Sequence, residues 1–591
     1  MRRLFTLIAI LMFGLVVNLE ANAAETTYQI LTGQNKTYDN SSYTSHKINS
    51  WFDNKGTLTL DTVNVSNNVL LKKASNGSNH SAVYNDGGTL FITGNASKLS
   101  TFTGNQTITN GGAISNITGV IKLIEYTSFT ENQSKYGGAI YSNKTGVIDT
   151  ISNTKFDKNT ASISGGAIYS NGLLNKIENS EFTSNEANGD KSAGAGYGGA
   201  IYAKKDLTII NSVFKDNSAY RNGGAIAMMG GDLTIIAQDT TKTVDVNGNP
   251  IVTNVSGYTE FSQNTQGYQT SAATSNDIYM GGSSQNLYLI SYDVDSEIKI
   301  NSGIDFNKGL NIYINKPESS LDTASGKITI GGNVGSSSKR ANFYLYGGTM
   351  SFINNQFNDV YANKVTLSGD TTLGFDVDLT TGLLDYDTFN FNSVTGVGKF
   401  IITSNSFNII SGLTDESDSA VLTLLRSSSA FKQYINMYDE NGNKTNIIYI
   451  YDKDGTTKLY KVKLASNGSL IFSNVYYIDK ETNPLVYAVN YTDDDFYNLV
   501  LSKNITVDSW EDIDPGTPRN KLLVDTLIID GKNKTITAED NLVGMDVDAS
   551  NNDKFLTVNN AIFVGFKNAI TNNGGIVTLN KIGRASCRER V

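Results

Sequence analysis

The sequence predicts an all-β fold, a right-handed parallel β-helix solenoid with possible β-hairpin insertions. Two tetrapeptide motifs alternate along residues 102–226 at intervals of 25 to 33 residues, and a period of that size indicates stacked structural repeats. The apolar runs between the motifs are four to six residues long and rich in Ile, Val and Tyr, which favours strands over helices. Gly and Asn separate these runs, as expected for turns.

The first motif is Gly-Gly-Ala-Ile, which occurs five times. Its glycine pairs are Gly111 and Gly112, Gly137 and Gly138, Gly165 and Gly166, Gly198 and Gly199, and Gly223 and Gly224. The second motif is Phe-x-x-Asn, which occurs six times between residues 102 and 264. Its members are Phe102 and Asn105, Phe129 and Asn132, Phe156 and Asn159, Phe182 and Asn185, Phe214 and Asn217, and Phe261 and Asn264. Three short strands and three turns fill roughly 27 residues, so each pair of motifs predicts one coil of the solenoid.

The residue types of the two motifs suit a stacked coil. Paired glycines allow positive φ or close packing beneath a neighbouring coil. We expect the phenylalanines to form an aromatic column inside the coils and the asparagines to form a ladder of amides at a turn. The motifs are therefore interpreted as scaffold, and the alternative is that they are exposed binding determinants.

Outside these repeats the pattern weakens. Strand-like runs continue as far as Ile576–Leu579, and Asn441-Gly442 and Asp454-Gly455 predict β-hairpins between alternating strands. The predicted organisation begins with a signal peptide (1–23), the clearest coils (24–290) and degenerate coils with hairpin excursions (291–507). A linker (508–520), further incomplete coils (521–581) and an adapter-derived tail (582–591) follow.

The two ends of the chain carry signals of their own. Residues 1–23 combine two arginines, a short apolar run and an Ala-Asn-Ala cleavage pattern, and so predict a secretory signal and an exported protein. Residues 582–591 break the composition and resemble a translated sequencing adapter. The single cysteine, Cys587, would then be spurious, and further sequence is expected beyond Lys581.

Composition limits the partners. The chain has a formal net charge of −10 and 18% charged residues, which argues against nucleic acid and anionic lipid as ligands. Five prolines with abundant Ile and Tyr argue against disorder.

Residues able to carry catalysis are scarce. The chain has two histidines, His46 and His80, from which neither a Ser-His-Asp triad nor a His/Cys metal cluster can be assembled. Asp493-Asp-Asp495 could pair carboxylates or bind calcium, but a solvated turn is the simpler interpretation. Asp452-Lys-Asp-Gly455 lacks the spacing of a calcium loop. We therefore predict no catalytic, cofactor or metal residues.

A binding surface is easier to support. The stretch from Ala193 to Tyr197 lengthens one repeat and is expected to loop outward. Loops held on a rigid scaffold are common places for recognition, so this loop is the first candidate for a binding site.

The interleaved motifs behind a signal peptide resemble the polymorphic outer-membrane protein family of autotransporters. The resemblance covers about residues 65–290 well and 521–581 loosely. It implies a β-helical passenger domain on the cell surface that acts as an adhesin, type V secretion, and a C-terminal β-barrel translocator after the present sequence. The implied partners are a host-cell or matrix receptor, or neighbouring cells.

The sequence thus predicts an exported adhesin, at the cell surface or outer membrane or released from it, that displays faces and loops on a rigid solenoid. Two alternatives stay open. One is a secreted enzyme that degrades polysaccharide, because parallel β-helices of the pectin-lyase-like kind also house lyases and hydrolases. The other is a purely structural surface-layer protein.

Overall fold

The structure is a computed structural model, and it describes the chain from residue 27 to residue 584 with gaps. The described ranges are 27–45, 50–70, 81–189, 195–239, 243–244, 250–251, 257–267, 273–317, 324–380, 384–413, 419–427, 432–451, 458–465, 467–474, 485, 488–489, 496–501, 503–507, 522, 526–538, 542–548, 554–573 and 575–584. The predicted signal peptide and linker, and residues 585–591 of the tail, lie outside these ranges. The predicted domain boundaries stay predictions.

The chain winds into coils in which each strand pairs in parallel with the equivalent strand of the next coil. One coil consists of Val147–Ser152, Lys155–Asp157, Thr160–Ser164 and Ile168–Ser170. The predicted parallel β-helix solenoid is therefore confirmed. The coil has four strands rather than the expected three, because a short strand also forms between the Phe-x-x-Asn and Gly-Gly-Ala-Ile motifs.

The equivalent strands of successive coils form four faces, numbered 1 to 4 in the order in which the chain passes through them. The four strands of the coil above belong to faces 2, 3, 4 and 1. Face 1 contains Tyr28–Ile30, Phe52–Asn54, Val83–Asn85, Ile114–Asn116, Ile140–Ser142, Ile168–Ser170, Ile201–Ala203, Ile226–Met228, Ile278–Ser283 and Ile304–Lys308. Face 2 contains Asn35–Asp39, Thr57–Asp61, Thr89–Thr93, Val120–Glu125, Val147–Ser152, Leu173–Glu178, Leu207–Ile210, Leu233–Ala237, Asn286–Ser291, Asn311–Ile314, Ala341–Leu345, Asp359–Leu367, Thr388–Gly396 and Leu425–Ser427.

The other two faces complete the coil. Face 3 contains Ser42–Thr44, Asn64–Ser66, Ser100–Thr103, Thr127–Thr130, Lys155–Asp157, Glu181–Thr183, Val213–Lys215, Tyr258–Ser262, Glu297–Ile300, Lys327–Ile330, Thr349–Ser351, Thr371–Asp378, Phe400–Ile402 and Ile435–Tyr438. Face 4 contains Val69–Leu70, Gln106–Thr107, Gln133–Tyr136, Thr160–Ser164, Glu186–Ala187, Ser218–Ala219, Thr265–Gln266 and the antiparallel Thr274–Ser275.

The remaining elements are short strands and turns, one separate sheet and a second compact unit. The short strands and turns are Thr243–Val244, Pro250–Ile251, Asp385–Tyr386, Phe407–Ser411, Lys444–Thr445 and the 3₁₀ turns Ser404–Ser406 and Lys432–Tyr434. The separate sheet has four strands, in the order Ser419–Leu422, Leu470–Asn474, Lys458–Leu464 and Ile447–Tyr451. The second unit contains Phe496–Val500, Ile505–Val507, Thr526–Ala538, Val543–Asp548, Phe555–Val564, Asn568–Asn573, Ile576–Asn580 and Gly583–Arg584.

Coils of unequal length keep the same register. Phe214 pairs with Phe261 although 47 residues separate them, and the extra length includes the antiparallel pair Thr243–Val244 and Pro250–Ile251. Surplus residues are therefore placed in loops, because a shift of one residue would turn the buried side chains of a strand to the outside.

The predicted hairpin at Asn441-Gly442 is present. Met437 and Tyr438 pair antiparallel with Thr445 and Lys444. The Asp439 carboxylate accepts hydrogen bonds from the backbone N–H groups of the turn, which lowers its pKa. The turn predicted at Asp454-Gly455 lies outside the described residues.

The second unit has its own apolar core. Thr526–Ala538 pairs in parallel with Phe555–Val564, which pairs in parallel with Ile576–Asn580. The inward side chains of these strands, among them Ile529, Ile536 and Val558, are buried. Parallel strand pairing is therefore present between residues 526 and 580.

The paired glycines meet two different demands. Gly165 has φ of +67°, a conformation that side chains disfavour. At Gly166 the backbone of the next coil lies so close that a Cβ atom would collide with the carbonyl oxygen of Gly199. The second glycine is therefore a packing requirement between coils.

The six motif phenylalanines form one column inside face 3. Each ring is fully buried, and neighbouring ring centroids are 4.6 to 4.9 Å apart with interplanar angles of 4 to 16°. Every ring except the terminal two is sandwiched between the rings of two other coils, so the column joins coils distant in sequence.

We expect Phe156→Leu to destabilise the solenoid by about 1 to 2 kcal/mol, because leucine keeps most of the volume but loses ring stacking on both sides. The measurement is the urea midpoint followed by far-ultraviolet circular dichroism. Phe555→Leu is the control, since Phe555 is 41% exposed, and should shift stability by less than about 0.5 kcal/mol. Equal shifts for both variants would contradict a stabilising role of the column.

Candidate binding surface

The motif asparagines form a hydrogen-bonded ladder inside the corner between faces 3 and 4. The Asn132 side-chain amide donates to Asn159 Oδ1 at 2.9 Å and to the carbonyl of Phe102 at 2.9 Å. Asn159 Oδ1 also accepts the backbone N–H of Asn132 at 3.0 Å. The same pattern repeats through Asn105, Asn132, Asn159, Asn185, Asn217 and Asn264. These amides are buried and satisfied within the protein, so they cannot contact a ligand.

The ladder extends beyond the motif asparagines by two residues at its start and by one residue at its end. The indole N–H of Trp51 donates to Asn68 Oδ1 at 2.7 Å, and Asn68 donates to Asn105 at 2.7 Å. At the other end Asn264 donates to Asp277 Oδ1 at 2.7 Å. A row of amides that all donate in one direction needs a donor before it and an acceptor after it, and Trp51 and Asp277 supply them.

Asp277 stands where the repeat has alanine. Its register neighbour Ile278 pairs with Ile226 of Gly-Gly-Ala-Ile, so Asp277 corresponds to Ala225. Its second carboxylate oxygen accepts the backbone N–H of Ser302 at 2.6 Å. Burial raises the pKa of Asp277 to about 7, although the hydrogen bonds from Asn264 and Ser302 act in the opposite direction.

A second row of polar side chains lies inside face 1. Asn54 donates to Asn85 at 2.7 Å, and Asn85 donates to Asn116 at 2.8 Å. Sequence reasoning missed this row because Gly-Gly-Ala-Ile ends two residues before it. The signal was the recurrence of Asn or Ser two residues after the first residue of the face 1 strand in five successive coils, from Asn54 to Ser170.

The outward side of face 2 carries a stack of tyrosines. Tyr288, Tyr313 and Tyr344 pair in register, with ring centroids 4.7 and 4.6 Å apart. The Lys316 ammonium lies 5.2 and 4.9 Å from the first two ring centroids. Because the rings stack face to face along the column, they present edges to a ligand, with cationic charge beside them.

The loop that the sequence favours for binding is partly described. Residues 193 and 194 lie outside the described ranges, and Ala195 is buried. The Tyr197 ring stacks on Tyr279 with centroids 5.9 Å apart, and the Arg221 guanidinium lies 6.0 Å from the Tyr197 centroid. The described end of this loop therefore packs on face 1.

A groove forms where face 4 ends. In earlier coils face 4 stands between faces 3 and 1, as Ser218–Ala219 does between Val213–Lys215 and Ile226–Met228. After Thr274–Ser275 the chain passes from Ile300 to Ile304 in three residues, so no room is left for a fourth strand. The missing wall leaves a concavity of about 640 Å³.

The groove is lined mainly by amides, hydroxyls and glycines. Gln263 and Gln266 lie on one wall with Thr274 and Ser275, and Asn301 and Ser302 come from the next coil. Two further coils contribute Gly331, Gly332, Asn333, Gln356, Phe357 and Asn358. Asp305 is the one carboxylate among the described lining residues, and its carboxylate lies 3.4 Å from the Lys339 ammonium.

Two buried carboxylates position the loop at the far end of the groove. Asp387 accepts the backbone N–H of Asn358 at 2.7 Å, and Asp376 accepts that of Asn354 at 2.7 Å. Burial raises the pKa of Asp387 to about 8, and the nearby Asp376 charge adds to this. The loop of residues 354–358 is therefore held in place by hydrogen bonds at both of its ends.

The residues considered for catalysis or metal binding lie elsewhere. His46, His80, Asp493-Asp-Asp495 and Asp452–Gly455 all fall outside the described residues. Across the described ranges, no group of three or more His, Cys, Asp and Glu side chains could hold a metal ion. In the same part of the chain, no helix has the length and apolar character needed to cross a membrane.

Comparison with protein families identifies the repeat. Residues 126–143, 153–171 and 211–227 match the Chlamydia polymorphic membrane protein (Chlamydia_PMP) repeat. Each matched segment contains one Phe-x-x-Asn followed by one Gly-Gly-Ala-Ile, so the resemblance is confirmed at these three places. The segments cover a small part of the chain and support a surface-exposed passenger of the polymorphic membrane protein type. No curated protein matches the chain.

Proposed function

We propose that the chain is the passenger of an autotransporter-like adhesin, which acts by holding binding faces and loops on a rigid solenoid. The observation that carries this proposal is that the motif residues stabilise the interior, whereas other residues form the outward surface. The motif residues that match the repeat are buried in stacking and hydrogen bonding, so recognition falls to the outward residues.

The outward residues suit reversible binding. The tyrosine stack and Lys316 lie on the outward side of face 2. The polar groove lies at the point where face 4 ends. Regular parallel pairing beneath them keeps their spacing fixed, which lowers the entropic cost of binding. The predicted signal peptide and the repeat match both support display outside the cell.

We expect the purified mature chain to bind saturably to cultured epithelial cells or to a surface coated with an extracellular-matrix protein. Flow cytometry with fluorescently labelled chain measures the cells, and a plate assay measures the matrix. Excess unlabelled chain should compete, and heat-unfolded chain is the control, because binding depends on the folded surface.

A folded chain that binds neither cells, nor matrix proteins, nor the bacterium that produces it would contradict the adhesin proposal. That outcome would favour the structural surface-layer alternative. Circular dichroism of the same preparation shows whether the protein was folded when it was tested.

A further inference from the structure

We propose that the groove at the end of face 4 is a binding site for a neutral glycan. This inference rests on the proposed function, since it names the ligand class of the displayed surface. It depends on the shape, hydrogen-bonding groups and charge of the groove.

The shape suits a short chain-like ligand. The lining residues come from four successive coils, represented by Gln263, Ser302, Asn333 and Gln356. With strands about 4.8 Å apart, the groove runs for about 15 Å along the solenoid axis. It is open on one side, so a glycan could lie in it without threading.

The hydrogen-bonding groups suit hydroxyls. A side-chain amide offers two donors and an acceptor, and a sugar hydroxyl both donates and accepts, so the two pair in either direction. Gln263, Asn333 and Gln356 are exposed. The side chains of Gln263 and Gln356 form no hydrogen bond with any part of the chain that the structure describes. Their amides are therefore available to a ligand.

One wall contains an unsatisfied acceptor. Gln266 donates to the Thr274 hydroxyl at 3.3 Å, whereas its Oε1 atom is buried and has no hydrogen-bond partner among the described residues. A buried polar atom without a partner costs free energy. A small movement of this side chain on binding would let a ligand hydroxyl donate to Oε1.

The charge of the groove favours a neutral ligand. Asp305 is paired with Lys339, and no lysine or arginine is among the described lining residues. The chain is acidic, with a formal net charge of −10. Sulfated or sialylated glycans would meet no cation in the groove and would be repelled over longer distances.

An extended peptide fits less well. Peptides commonly bind by adding a strand to a sheet edge, and the edge nearest the groove is Thr274–Ser275, which is two residues long. So short an edge offers few backbone hydrogen bonds. A glycan instead uses the side-chain amides that line the groove.

The test uses an array of neutral oligosaccharides with sialylated and sulfated counterparts, probed with the full mature chain. We expect retention of neutral glycans. Ser275→Trp places a large ring on the exposed wall of the groove and should weaken this retention at least tenfold. The double variant Gln263→Ala and Gln356→Ala removes two amides and should weaken it roughly tenfold.

Ser97→Trp is the matched control, because Ser97 is exposed on a different coil and should leave retention unchanged. Melting curves check that all variants are folded. Equal retention by Ser275→Trp and Ser97→Trp, binding confined to anionic glycans or to peptides, or no glycan retention would each overturn the proposal. If the chain still binds cells in that case, the adhesin proposal stands and the groove proposal alone fails.

Discussion

Replacing Asn159 by alanine is expected to destabilise the solenoid by about 2 to 6 kcal/mol. Asn159 Oδ1 accepts two hydrogen bonds from Asn132, one from its backbone and one from its side chain. The substitution leaves both donors buried without a partner, and each such donor costs about 1 to 3 kcal/mol. The substitution lies in the middle of the ladder, where the neighbouring side chains of Asn132 and Asn185 are buried and cannot form replacement hydrogen bonds with water.

The measurement is the urea midpoint of Asn159→Ala together with hydrogen exchange of the backbone amides in the coils that span residues 105–185. Exchange should rise first in the coils that adjoin Asn159, because solenoids depend on contacts between neighbouring repeats. Asn64→Ala is the matched control, since Asn64 is exposed on face 3, and should change stability by less than about 0.5 kcal/mol. Equal effects of the two substitutions would show that the ladder is not stabilising.

The sequence predicts the repeating interior well because repetition makes each residue type informative. An asparagine that recurs at one place in every coil stacks on copies of itself, so a ladder follows from the period alone. The same reasoning predicts the phenylalanine column and the close approach at Gly166. These features depend on local identity and on register, both of which a repeat displays directly.

Features that occur once are harder to predict. Asp277 replaces a motif alanine, and its role depends on a buried amide 13 residues earlier in the chain. The groove arises from a connection that is too short for a fourth strand. Because the sequence predicted three strands per coil, it did not predict the fourth strand and could not predict the place where that strand is absent. Both features are departures from the repeat, and the repeat pattern does not indicate which role a residue has where the pattern is broken.

The same exceptions predict an unusual dependence of stability on pH. Burial raises the pKa of Asp277 to about 7 and that of Asp387 to about 8, with Glu260 and Asp376 as the carboxylates that add to the respective shifts. The folded protein therefore binds more protons than the unfolded chain between about pH 4 and pH 8. This stabilisation is complete below pH 4 and is lost as the pH rises through 7 and 8.

We expect the solenoid to be less stable at pH 8.5 than at pH 5.5 by about 5 kcal/mol, at 1.4 kcal/mol for each pKa unit. Urea unfolding at both pH values measures this difference. The double variant Asp277→Asn and Asp387→Asn should flatten the profile, because neither amide titrates, even though each asparagine keeps only one of the two acceptor oxygens that the carboxylate offers. Asp385→Asn is the control, since Asp385 is exposed beside Asp387, and should keep the profile of the native chain. Stability that is unchanged or rises toward pH 8.5 would mean that both buried carboxyls stay ionised, and the ladder would then end on a charged acceptor.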